Sequence, residues 1–275
     1  MNQVLQSIVS TGSVVTEDGT LRTCDVGIAQ EEGEFLQEII RRHRPQVSVE
    51  VGCAYGISSL YICEALREVN AAKHIIMDPY QHSWSQGIGI ANLKRAGYAD
   101  IIEFHEDPSY QYLARLTEEH VKIDFAFIDG NHSFDYVLVD FFLIDKLLEP
   151  GGIVVLDDFS YPSIRNVCRY FLLNLSYKCV GPQSRKLPEL AQWQRLASRV
   201  RQGTIGPLLK SPWRRMLMPA WRMIVWRGVW LVSTPMRRFL VSRNSVTDAE
   251  LNLPNSANYV ALQKLRDDDD VTRGF

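Results

Sequence analysis

The sequence predicts an α/β protein built on a doubly wound, mostly parallel sheet, and three features lead to that reading. Short apolar runs alternate with helically periodic segments between Val47 and Leu156, at the lengths of strand–helix units. The first run (Val47, Val49, Val51) meets a glycine-rich turn, Gly52-Cys53-Ala54-Tyr55-Gly56, before a periodic segment begins. Later runs stop at carboxylates: Asp78, Asp129 and the pair Asp157-Asp158. Parallel sheets of this kind bind ligands outside the carboxyl ends of their strands, so the turn and these acids mark one functional edge.

Residues 1–30 are mixed in pattern, with turn signals at Thr11-Gly12 and Asp18-Gly19, and are expected to form a leader, a lid or an oligomer arm. From Glu31 the pattern is helical: Phe35, Leu36, Ile39 and Ile40 share a face, and Arg41, Arg42 and Arg44 load the end that Pro45 stops. After the first strand, Gly52 and Gly56 allow a sharp turn and close approach of a ligand. The next helix, opening near Ser58 and Ser59 and ending near Asn70, points unpaired N–H groups at that turn, a cradle for a nucleotide-like ligand. His74 to Asp78 reads as a second strand whose terminal acid could accept from the ribose hydroxyls of an adenosine, with Tyr80 flanking. A helix over Ala91–Ala96 and a strand over Ile101–His105 follow, and Glu106-Asp107-Pro108-Ser109 caps a helix over Tyr110–Leu116.

Ile123–Ile128 is the next strand, running into Asp129-Gly130-Asn131-His132. A helix carrying Tyr136, Val137, Phe142 and Leu147 stops at Glu149-Pro150-Gly151-Gly152, and Ile153–Leu156 is a fully apolar strand ending at Asp157-Asp158. A further helix passes through Val167, Tyr170 and Phe171. Tyr177–Val180 reads as an antiparallel edge strand, and residues 257–264 as the last strand of the sheet before an acidic tail, Asp267–Asp270.

The glycine turn does not fit the dinucleotide fingerprint, which needs a glycine two residues after the first. Instead an acid precedes it, as Glu50-x-Gly52-x-x-x-Gly56. In this the chain resembles the class I S-adenosylmethionine-dependent methyltransferases over about residues 31–180 and the last strand. The resemblance implies a seven-stranded Rossmann-like sheet with S-adenosylmethionine as cofactor. It implies cofactor contacts from Glu50, Gly52, Ala54, Gly56, Ser58 and Ser59 at the turn, Asp78 at the ribose and Asp129 at the edge. Asp107 and Ser109 would line the adenine pocket; as a plain helix cap, Ser109 needs no ligand.

Asp129, Asp157 and Asp158 arrive on neighbouring strand tips, where like charges repel unless a cation lies between them. Oxygen donors without cysteine or clustered histidine favour Mg²⁺, or else Mn²⁺ or Ca²⁺, over zinc. The arrangement resembles the metal-dependent O-methyltransferases, and the Asp-Gly-Asn-His form resembles the branch acting on sugar hydroxyls of natural products. That likeness implies His132 as general base beside Asp129. The acid pair departs from the pattern: catechol-type enzymes have Asp-Asn there and sugar-type ones Glu-Asp. Strand-end caps and a loop histidine are the competing reading of these residues.

The composition, 46% hydrophobic and 23% charged, is that of a soluble globular chain with a sizeable core. Five scattered cysteines without C-x-x-C spacing imply neither a disulfide framework nor zinc, and so a reducing cytosol. No basic, apolar leader opens the sequence, so no signal peptide is expected. The net charge of −2 conceals strong segregation: Arg185 to Arg243 holds thirteen Lys and Arg against Glu189, and five of the six tryptophans. Arg222, Arg227 and Pro219 argue against a membrane span there, and an element lying at an anionic membrane surface fits the tryptophans and arginines. A helical cap packed on the catalytic domain or a second subunit fits as well. Single-stranded nucleic acid is disfavoured, because no RNA-binding module is recognisable.

The expected organisation is therefore a leader (1–30), a methyltransferase core (31–183), a basic helical insertion (184–250) and a last strand with its tail (251–275). The expected function is metal-assisted O-methylation of a small-molecule or glycan hydroxyl, in a saccharide or glycolipid. It would be cytoplasmic, with peripheral contact at the inner membrane surface through 205–243 and a homo-oligomer open. The alternatives are a metal-independent methyltransferase and a non-catalytic adenosine-ligand binder that uses the insertion as a platform.

Overall fold

Strands apolar on both faces must be covered on both faces, and the structure resolves this need with helices on either side of a single large sheet. A computed structural model of the chain describes residues 1–16, 19–71, 73–182, 246–254 and 256–267. The expected insertion (184–250), apart from 246–250, and the tail from 268 lie outside the described residues.

The chain opens with α1 (Gln3–Thr11) and an antiparallel hairpin of β1 (Ser13–Val15) and β2 (Leu21–Thr23). Asn2 caps α1 by accepting from the Val4 N–H, and Gly12, at φ 63°, turns the chain out of it. In the segment expected to form a leader, a lid or an oligomer arm, Leu5, Ile8 and Val14 are buried in one of the two cores. There follow α2 (Gln30–His43), β3 (Val47–Val51), α3 (Ile57–Glu68), β4 (Lys73–Met77), α4 (Ile88–Arg95) and β5 (Ile102–His105). After these come α5 (Ser109–Glu118), β6 (Ile123–Ile128), α6 (Phe134–Leu147), β7 (Leu148–Leu156), α7 (Pro162–Asn174), β8 (Tyr177–Gly181) and β9 (Val260–Lys264).

From α2 onward the element order matches the pattern read from the sequence, with differences at the boundaries. Helix α6 does end just before residues 149–152, as expected, but these residues already belong to β7, which pairs with β6 from Leu148 onward through an irregularity at Ile123/Phe125. The α4 helix starts three residues earlier than its periodicity suggested, behind Gly87 in a left-handed conformation. Helix α5 starts behind Pro108 with no side-chain cap, so the residues 106–109 do not cap it as expected.

The seven strands lie in the order β5-β4-β3-β6-β7-β9-β8, with β3 to β7 parallel and β9 antiparallel to both neighbours. Chain direction across the sheet reverses between β3 and β6, which opens a crevice at their carboxyl ends. Alternate residues feed two cores: Phe125, Phe127, Ile153 and Val155 enter one, and Ala126, Ile128, Val154 and Leu156 the other. The last strand is locked in by Lys264, whose buried amine donates to the carbonyls of Asp145 (2.7 Å) and Leu148 (2.9 Å). The Asp145 carboxylate lies 3.5 Å from that amine and accepts from the Tyr177 hydroxyl at 2.7 Å.

Helix α6 also buries Asp140 without a partner for Oδ1. Burial pushes its carboxyl up to about 6, while the Ser109 hydroxyl pulls the other way. A raised value means that the folded protein holds this proton more tightly than the unfolded chain. The stabilisation is therefore present at low pH and lost as pH rises through about 6. Asp140→Asn is expected to stabilise the protein by about 2–3 kcal/mol above that pH and to leave it nearly unchanged near pH 4. Urea unfolding at a series of pH values measures the difference.

Candidate active site

The glycine turn is shaped by what packs against it. Gly52 sits at φ 91°, and a Cβ there would lie 2.1 Å from the carbonyl oxygen of Asp129. This glycine thus lets the tip of β3 close on the tip of β6, which sets Asp129 beside the turn. Gly56, at φ 77°, similarly backs onto Gly89, and Ala54 holds a left-handed φ of 45°. The freedom that the sequence reading assigned to ligand approach is used first by the protein's own backbone. Asp78, just past β4, accepts from the N–H groups of Cys53 (3.2 Å), Ala54 (2.9 Å) and Tyr80 (2.8 Å), so the expected ribose acid also holds the turn.

Glu50 is fully buried at the heart of this edge. Its carboxylate accepts from the hydroxyls of Ser58 (2.6 Å) and Ser59 (2.7 Å) and from Nε2 of His74 at 2.8 Å. Glu50, Ser58 and Ser59, expected as cofactor contacts, spend their side chains on one another and tie α3 to β3 and β4. Gly56 stands at the N-cap of α3 with no side-chain cap, so backbone N–H groups rather than hydroxyls are what this helix offers a ligand. Asp107 lies half-buried in the turn before α5. The Ser109 hydroxyl is bonded to Asp140.

At the tips of β6 and β7 the carboxylates do converge. Burial, then the charges of Asp157 and Asp158, hold the Asp129 carboxyl well above the usual range. Asp157 is raised too, chiefly by burial. Asp158 adopts a left-handed φ of 51°, uncommon outside glycine, and is held there by its neighbours. Its N–H donates to Asp157 Oδ1 at 2.5 Å, and Asn258 Nδ2 donates to Asp158 Oδ1 (3.0 Å) and Asp157 Oδ1 (3.3 Å). Asp158 Oδ2 lies 2.9 Å from Nδ1 of His132, whose ring stacks on Tyr161 with centroids 5.3 Å apart. The Ser163 hydroxyl fixes the His132 carbonyl at 2.6 Å.

Asp129, His132 and Asp158 offer ligand atoms within 4.8 Å of one another, a donor set that fits a divalent cation. Asp157 stands outside that group. Expected as a third metal ligand, it has its carboxylate turned to the N–H of Asp158 and to Asn258. Two members were missed in the sequence. Glu32, in the first turn of α2, is 2% exposed, and burial, then the charges of Asp157 and Asp129, push its carboxyl up to about 9. Asn258 precedes β9. A first-turn glutamate reads as an ordinary solvated helix start, and a lone asparagine before a strand as a turn residue, so neither carried a local signal.

Residues 49–159, which include the glycine turn and this acid cluster, match the family model of a methyltransferase domain. Among curated proteins the chain is 31% identical to caffeoyl-CoA O-methyltransferase 2 of Petunia hybrida over 131 residues, 46% of this chain and 52% of that protein. It is 30% identical to caffeoyl-CoA O-methyltransferase 5 of Nicotiana tabacum over the same shares. The chain thus spans about half the length of the curated relatives it matches. Among solved structures, an O-methyltransferase from Bacillus cereus in complex with SAH aligns with a TM-score of 0.53 at 17% identity, over 67% of this chain and 85% of that one. The O-methyltransferase TomG from Streptomyces achromogenes, in complex with SAM, aligns at 0.52 with 19% identity, over 67% and 84%. These two likenesses concern the fold, while the family-model match spans the strands and turns that build the site. Residues 49–159 are thus similar to a methyltransferase domain, and the fold around them is one that solved O-methyltransferases share.

Proposed function

We propose that this protein transfers the methyl group of S-adenosylmethionine to a hydroxyl oxygen of a saccharide or glycolipid, with His132 as general base and a divalent cation at the acid cluster. The observation that carries the reading is the pair of His132 and Asp158, 2.9 Å apart beside Asp129 at the switch point of the sheet. Asp158 accepts the Nδ1–H of His132 and so fixes the tautomer in which Nε2 keeps its lone pair. That nitrogen takes the hydroxyl proton as the oxygen attacks, and the Asp158 carboxylate stabilises the imidazolium that results. Asp129 and Asp158 are the residues that would hold the cation, whose contribution is a lowered pKa for a bound hydroxyl. The glycine turn and the N-terminus of α3 orient the donor, and holding two reactants in line supplies much of the rate. The saccharide assignment is supported by the Asp129-Gly130-Asn131-His132 motif; the curated relatives are named for caffeoyl-CoA.

A metal-independent variant of the same reaction is favoured by one feature: both oxygens of Asp158 already have partners, His132 and Asn258. A methyl-transfer screen with radiolabelled donor against sugars, glycolipids and phenols, with Mg²⁺ and with excess chelator, separates the readings. Sugar labelling lost in chelator is the expected result, labelling that persists in chelator supports the metal-free variant, and donor binding without any transfer leaves a binding protein.

The basic, tryptophan-rich stretch 205–243 we assign to peripheral contact with an anionic membrane surface on the cytoplasmic side, which suits a lipid-linked acceptor. No helix among the described residues is long and apolar enough to cross a membrane. Salt-sensitive flotation with anionic liposomes, abolished by deletion of 205–243, is the corresponding test.

A further inference from the structure

Away from the glycine turn and the acid cluster, the N-terminal segment forms a cavity of about 310 Å³ that neither the motifs nor the proposed chemistry uses. It arises from the way the connector between β2 and α2 is pinned at two points. At one, the Cys24 N–H donates to the Gly12 carbonyl at 2.8 Å. At the other, Gly27 lies against the first residue of α3: at its φ of 137° a Cβ would fall 2.8 Å from Cγ1 of Ile57. The gap between these contacts is left unfilled, and a Cβ on Gly12 would meet nothing within 4 Å.

The wall is chiefly apolar, with Ile8 and Val9 from α1, Val26 and Ile28 from the connector, and Ile57 and Tyr61 from α3. Tyr61 is 1% exposed, and its hydroxyl is buried with no hydrogen-bond partner. Aliphatic walls hold water poorly, and this volume lies at the lower end of those that take small ligands. Of the residues that line the cavity, Asp25 alone is charged; it is exposed and forms no ion pair among the described residues. The glycine turn, Asp78, Asp129, His132 and the Asp157–Asp158 pair contribute nothing to the wall.

We propose that this cavity is a second binding site, for a small apolar amine. The hydrocarbon body fills the space between α1, the connector and α3, and the ammonium group meets Asp25 at the mouth. Burial of a ring or chain against aliphatic side chains supplies the affinity, and an unpaired carboxylate selects a cation over an anion. The amine also brings N–H donors, which a buried hydroxyl oxygen without a partner can accept. The site is independent of methyl transfer.

2-Phenylethylamine serves as the probe. Its ring current reports contact at the Cδ1 methyl groups of Ile8 and Ile57, assigned by their loss in Ile8→Val and Ile57→Val. Titrated into the full chain, it should shift both resonances saturably, with a midpoint at about 1 mM, and should still do so in excess S-adenosylhomocysteine. 3-Phenylpropionate has the same hydrocarbon body and the opposite charge. It should bind about 5–10-fold more weakly, and Asp25→Asn should remove that difference. Val9→Trp, on the exposed side of α1, should fill the mouth and abolish the shifts. Val26→Phe is a second filling variant should Val9→Trp not fold. Resonances that ignore the amine, that respond as strongly in both filling variants, or that lose the amine to S-adenosylhomocysteine would overturn the proposal. So would an anion that binds as tightly as the amine. Failure of the radiolabel screen would count against methyl transfer alone, because the Ile8 and Ile57 shifts are read without any acceptor.

Discussion

Glu50→Ala is expected to destabilise the protein by about 3–5 kcal/mol, because it strips a fully buried carboxylate from three donors that have no other buried acceptor of that strength. Ser58, Ser59 and His74 would be left facing a cavity inside the sheet edge. For a domain of this size the loss corresponds to a fall in Tm of roughly 10 °C, measurable by calorimetry or urea unfolding. Donor binding should weaken with it, since the same carboxylate ties α3 to β3 below the glycine turn. Glu50→Gln, which keeps acceptor and donor capacity at the same volume, should cost less than the alanine variant. A Glu50→Ala protein that melts with the unaltered chain would mean that this network does not hold the turn together.

His132→Ala is expected to lower the methyl-transfer rate by about 10²–10⁴-fold while leaving donor affinity and stability near those of the unaltered protein. The ring is about 39% exposed, so its removal opens no core cavity. The loss should fall on kcat, with little change in the apparent KM for the donor, because the imidazole acts on the acceptor's proton. Stopped turnover with titration of the donor measures both. An equal loss of donor affinity would place His132 in the cofactor pocket and remove it as the base.

Much of the architecture could be read along the chain because it depends on local pattern. The runs Phe125–Ile128 and Ile153–Leu156 are apolar on both faces, and only a central, doubly covered strand suits such residues. The turn at Gly52–Gly56 and the helix behind it were likewise legible, since positive φ at Gly52 and Gly56 leaves a compositional trace. Boundaries were harder. Residues 149–152 carry stop signals, yet pairing with β6 draws the start of β7 back to Leu148, a contact that no local propensity records.

What the sequence determined by itself is the order of strands and helices from Glu31 onward, the glycine turn and the set of acids at the strand ends, because each follows from spacing within a dozen residues. What only the tertiary structure decided is who partners whom. Glu50 serves Ser58, Ser59 and His74, Asp157 accepts from Asn258, and His132 joins Asp158 across 26 residues. A carboxylate's role is set by which donors and charges surround it once burial has raised the cost of leaving it unpaired. Those neighbours, from α3 to the segment before β9, are brought together by the winding of the sheet and by nothing adjacent in the chain.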